Sequence, residues 1–150
     1  MSLTDRIAAD LKTAMLARDA FVVETLRGLR AAILNEEVSA GTRDTGLADS
    51  DVEKLIARES KKRDESARLF AQGGNQESAD KELRERELLS QYLPEQMSEE
   101  AVKKLVADII AELKPEGMKD MGRVIGAVKA KTGNTADGAL IAQLVKSSLQ

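Results

Sequence analysis

The chain of 150 residues contains no cysteine, no histidine and no tryptophan, and only two prolines, two phenylalanines and one tyrosine. Each absence removes a class of chemistry. Without cysteine there is no disulfide, no thiolate nucleophile and no thiolate-bound metal. Without histidine the commonest general base and metal ligand are gone. Carboxylates could still bind a divalent cation, but no spaced acidic cluster occurs, so neither metal nor cofactor is expected. The start, MSLTDRIAADLK, lacks a basic segment followed by an apolar one, so no signal peptide is read there. No apolar run approaches the roughly 20 residues of a membrane span. These absences together predict a soluble, cytoplasmic chain that does not engage a membrane.

What is present suits helices. Charged residues make up 33% and hydrophobic residues 42%, too apolar for a disordered chain. The apolar set is dominated by Leu, Ile, Val, Ala and Met, and it recurs at helical spacing with no alternating segment. An all-α fold is expected, in two units: a four-helix domain over 1–94 and a three-helix bundle over 95–150. Helices are predicted over Leu3–Arg18, Ala20–Val38, about Ser50–Gln72 and Gln76–Tyr92. Ser50 with Glu53 reads as a capping box, GlyGlyAsn at 73–75 as a break, and Pro94 as a stop. In the second unit Ser98 is the expected N-cap of a helix carrying Val102, Leu105, Val106, Ile109 and Leu113. Further helices are expected over Lys119–Lys131, ending at Gly133, and over Ala136–Leu149. Residues 114–150 are too short to stand alone, which assigns the preceding helix to them.

Charge follows a similar division. Residues 1–113 hold 17 basic and 23 acidic side chains, a net of −6, whereas residues 114–150 hold 6 and 3, a net of +3. The positive excess lies beside the segment MGRVIGAVKAKTG, whose Gly122 and Gly126 each cost a helix roughly 0.5–1 kcal/mol. On a helical wheel Met121, Val124, Ile125 and Val128 form the core stripe. The two glycines lie off its centre, bordered by Lys119, Arg123 and Lys129. Two readings stand open. In one, the glycines admit a neighbouring helix closely, as internal packing with the lysines a solvated rim. Alternatively, the strip is a shallow groove in which Lys119, Arg123 and Lys129 neutralise phosphates.

Other candidates read as structural. Lys61-Lys62-Arg63 sits among Glu59, Asp64 and Glu65, which nearly cancel its field, so a solvated helix face is favoured over a second phosphate contact. The stripe Val52–Ile56–Glu59–Arg63–Ser66–Phe70 places polar residues where a core is expected, and a Glu59–Arg63 pair four residues apart would satisfy them. Glu82, Glu85 and Glu87 alternate with Lys81, Arg84 and Arg86, the pattern of a solvated helix. Phe21 and Phe70 are expected in the core. No catalytic constellation is visible, so an enzyme is not favoured.

The stretch MGRVIGAVKAKTGNTADGALIAQLVKSSL resembles the tail shared by the YqeY family and the GatB subunit of tRNA-dependent amidotransferases. The matching residues are Met121-Gly122, Gly126, Lys129, Lys131-Thr132-Gly133, Ala136-Asp137 and the leucine-rich last helix. Tyr92-Leu93-Pro94 and TLRGLRAAILNEEV also resemble YqeY, so the likeness spans nearly the whole chain. The GlyGlyAsnGlnGluSer turn at 73–78 departs from the family pattern. The resemblance implies a non-catalytic accessory protein that engages tRNA, or an amidotransferase or synthetase complex that handles it, and not DNA. It also implies an association with carbon–nitrogen ligation using glutamine as amide donor. Lys119, Gly122, Arg123, Gly126, Lys129 and Lys131 are then the expected RNA-binding residues. A helical protein-interaction module without RNA binding is the alternative.

Overall fold

The computed structural model describes residues 1–150 and is all-helical, with seven α-helices: α1 (Leu3–Leu16), α2 (Ala20–Ala40), α3 (Asp49–Gln72), α4 (Gln76–Ser90), α5 (Glu99–Leu113), α6 (Met121–Thr132) and α7 (Gly138–Leu149). Short 3₁₀ turns at Met118–Asp120 and Gly133–Thr135 flank α6. The chain divides into two compact units, Met1–Leu93 and Pro94–Gln150.

The first unit is built from two helical hairpins. Ile7 and Leu11 of α1, Leu26, Leu29 and Ile33 of α2, Val52, Leu55 and Ile56 of α3, and Leu89 of α4 form its core. Tyr92 joins them at 4% exposure. Its hydroxyl donates to Asp10 Oδ2 at 2.6 Å, which allows a phenol to be buried without an orphaned polar atom. The Arg6 guanidinium lies 4.9 Å from the ring centroid and reaches the Gln91 carbonyl at 3.4 Å. Burial, followed by the hydrogen bond and charge of Asp10, holds the Tyr92 phenol well above its ordinary range.

The hairpin α3–α4 carries its polar stripe as a three-membered ion cluster. Arg63 Nη1 meets Glu59 Oε2 at 3.0 Å, four residues back on the same helix. Its Nε lies 3.3 Å from Glu85 Oε2 on α4, outside hydrogen-bond geometry. The side chains of Arg63 and Glu85 are only 18% and 15% exposed. Desolvation pushes the Glu59 carboxyl up, but hydrogen bonds from Arg63 and Lys62 and their charges outweigh it, leaving a net shift below the ordinary carboxylate value. Glu85, read from sequence as solvated, is therefore a buried partner.

Several local readings change. Helix α3 begins at Asp49 with Ala48 as its N-cap residue, so Ser50 lies inside the first turn and does not cap it. The Asp49 carboxylate instead accepts from the Leu3 N–H of α1 at 2.9 Å, a tertiary bond that no local rule anticipates. Helix α4 ends at Ser90, before the predicted Tyr92. Phe70 is 39% exposed, where a core position was expected.

The second unit is a three-helix bundle with an aliphatic core of Val102, Val106, Ile109, Val124, Val128, Ile141 and Val145. Ser98 caps α5 by accepting from Ala101 N, as expected. The entry segment is fastened to the turn after α6: Met97 N donates to the Thr135 carbonyl at 2.7 Å, and Gln96 Nε2 to that of Asn134 at 3.1 Å.

Candidate nucleic-acid interface

Helix α6 shows Val124 and Val128 to the core, both fully buried, with Met121 and Ile125 packed partly against the same cluster. The opposite side follows from the 3.6-residue period. Gly122 and Gly126 are exposed, and a Cβ built on either would meet no atom within 4 Å. Neither glycine therefore admits a neighbouring helix within this unit. The side-chain-free strip lies open on the solvent side, and the helical penalty of both glycines goes uncompensated by packing.

The cations around the strip are not equivalent. Lys119 lies in the 3₁₀ turn ahead of the helix, which shifts its position from the one a continuous α-helical wheel assigns. It pairs with Glu116. Arg123 is 3.7 Å from Asp120 and donates to the Leu113 carbonyl at 3.4 Å, so its guanidinium also serves the carboxyl end of α5. Asp120 in turn accepts from Glu116 N at 2.8 Å, closing the turn that positions both cations. Lys129 extends toward α7, with its Cε and Nζ each 3.4 Å from where a Cβ on Gly138 would sit. Lys131 is exposed, but nine residues after Gly122 the helical period places it on the opposite side of α6.

The structure thus brings Gly122, Gly126, Arg123 and Lys129 to one side of α6, sets Lys119 in the preceding turn, and separates Lys131 from them. Sequence reasoning missed Glu116 and Asp120 as partners, although their spacing three residues before Lys119 and Arg123 was a usable signal. It also missed Gly138, whose bare backbone accommodates the Lys129 side chain. The Lys119–Glu116 pair is largely solvent-exposed, and pairs of that kind contribute about 0–1 kcal/mol, whereas Asp120 is only 24% exposed. Lys119 can therefore exchange its carboxylate for another anion at small cost, while Arg123 is held more firmly by Asp120 and the Leu113 carbonyl.

The remaining basic run is structurally engaged. Lys62 contacts Glu59 at 3.3 Å and Arg63 belongs to the ion cluster. Among the aromatics, Tyr92 is buried and the Arg84 guanidinium lies 5.3 Å from the Phe21 ring.

A family model described as Yqey-like protein matches residues 4–149. Two curated relatives carry the name "Altered inheritance of mitochondria protein 41, mitochondrial". The one from Clavispora lusitaniae is 27% identical over 146 residues, covering 95% of this chain and 74% of the relative. The one from Pyrenophora tritici-repentis is 26% identical over 144 residues, covering 94% and 77%. These names overturn the expectation of a cytoplasmic protein, since both relatives are mitochondrial proteins. The physical reason is plain: the charge and hydropathy of a folded helical domain record that it meets water, and not which aqueous compartment it occupies. With the match running through all seven helices, the chain belongs to the YqeY family.

Proposed function

We propose that the protein is a non-catalytic accessory module whose carboxyl-terminal unit engages the phosphate backbone of a folded RNA, with tRNA or a tRNA-handling complex as the partner. The observation that carries this reading is the open strip at Gly122 and Gly126, where nothing within the unit occupies the space that side chains would fill. A phosphate backbone can approach such a strip closely, while Lys129, Arg123 and Lys119 supply charge. Lys131, on the far side of α6, contributes only to the general field. Backbone recognition also suits a chain with few aromatic rings, since single-strand recognition relies on stacking. The resemblance to the amidotransferase tail supports the choice of tRNA. It leaves any link to glutamine-dependent carbon–nitrogen ligation indirect, because the residues around the strip form no nucleophile–base pair. With few phosphate contacts, binding is weak and falls as salt rises.

The test compares tRNA binding at two salt concentrations for the wild type, a Lys119→Ala/Lys129→Ala variant and Gly126→Leu. The expected result is salt-dependent binding that each variant weakens, with folding intact by circular dichroism. Absence of wild-type binding, or equal affinity in all three, removes RNA and leaves the alternative of a helical protein-interaction module.

A further inference from the structure

A second open strip lies on α2, far in sequence from the first and different in character. Gly28, Ala31, Leu34 and Val38 fall on one side of this helix, spaced by three and four residues. Leu34 is 46% exposed and Val38 59%, while a Cβ on Gly28 would meet nothing within 4 Å. Small residues, with the exposed Arg27 on the same side, thus occupy the first half of the stripe and branched apolar ones the second. Alongside Leu34 runs a groove of about 240 Å³, also lined by Thr4, Arg30 and Glu37. Arg30 and Glu37 carry opposite charges on one wall of this groove. They are seven residues apart, two helical turns or roughly 10 Å, too far to pair with each other. No ion pair within the unit engages either, although neighbouring Glu36 is paired with Arg58 at 3.4 Å.

This arrangement is complementary to itself when reversed. We infer that α2 is a self-association surface, on which a second copy of the chain docks with its own α2 antiparallel across a two-fold axis. In a face-to-face antiparallel pair the same lateral edge of each helix meets the other. A register that sets Arg30 opposite Glu37 of the second copy also sets Glu37 opposite the second Arg30, giving two symmetric ion pairs. The same register brings Val38 over the notch between Gly28 and Ala31 of the second copy, and gathers both Leu34 side chains near the axis. One register therefore satisfies charge and shape together, which an accidental scatter of exposed leucines would not do. Other exposed apolar residues, such as Leu16 on α1 and Leu69 on α3, have no such counterpart.

The association is weak, because the apolar contact is small and the ion pairs lie at its edge. Sedimentation velocity of the full chain across a concentration series tests it. The wild type should shift from monomer toward dimer as concentration rises, and Val38→Glu should remain monomeric throughout. Arg30→Glu and Glu37→Arg should each raise the dissociation constant about tenfold or more by placing like charges opposite one another. The double reversal Arg30→Glu/Glu37→Arg should restore wild-type association, which neither a folding defect nor a changed net charge would produce. A wild type that stays monomeric at the highest soluble concentration overturns the inference. So does a double variant no better than either single one, or dimerisation indifferent to Val38→Glu.

Discussion

The two units differ in where they place charge: the first carries an ion cluster below its surface in addition to exposed pairs. The first draws polar groups inward: Arg63 is sandwiched between Glu59 and Glu85, and Tyr92 buries its hydroxyl against Asp10. The second builds an aliphatic core of valine and isoleucine and leaves its ion pairs at the surface. Charges that complete a buried network are committed, since removing one partner strands the other in a poor solvent. Charges in exposed pairs are exchangeable. The contrast separates a basic residue that holds the first unit together, Arg63, from one in an exposed pair, Lys119.

The sharpest way to break the contrast is Arg63→Ala. It leaves two largely buried carboxylates facing each other and should lower stability by about 2 kcal/mol, less than the full cost of breaking a fully buried pair because some exposure remains. Thermal unfolding followed by circular dichroism measures it, and a change comparable to that of Lys119→Ala would erase the distinction. A smaller effect comes from acid. The folded state holds the Glu59 carboxyl below its ordinary value of 4.5, so its contribution is fully present above that pH. It is lost as pH falls through the lower folded-state value. Urea titrations at pH 6 and about pH 3 should therefore show a loss that Glu59→Gln diminishes. The smallest effect has the opposite sign. Gly126→Ala adds a methyl group where nothing lies within 4 Å and should stabilise the protein by about 0.5–1 kcal/mol. A destabilised variant would mean that the strip is packed after all.

Much of the fold was legible because most helices carry an apolar stripe, α4 being the weakest with only Ala79 and Leu89 buried. Val124 and Val128 in α6, and Leu26, Leu29 and Ile33 in α2, lie where a 3.6-residue period puts them. The Glu59–Arg63 pair was legible for the same reason, as two groups one turn apart. What escaped depends on residues distant in sequence. Glu85 looks solvated within its own helix, and only the return of α4 against α3 buries it. Asp49, the first residue of α3, accepts an N–H from α1. Tyr92 is satisfied in the core by a hydrogen bond from its hydroxyl to Asp10, 82 residues earlier. At the candidate interface, the residue types around Gly122 and Gly126 were visible, but whether a neighbouring helix filled the strip was not. That depended on which faces α5 and α7 present, a property of the assembled bundle.

The fastening of Gln96 and Met97 to the turn at Asn134 and Thr135 bears on how the chain acquires its shape during synthesis. These bonds join positions 38 residues apart, so they cannot form until most of the second half has left the ribosome. The first unit joins positions still farther apart, Asp10 and Tyr92 being 82 residues from each other, but its whole core lies before position 93 and so emerges earlier. Translation therefore releases a finished amino-terminal body first, trailed by a segment that gains its definition last.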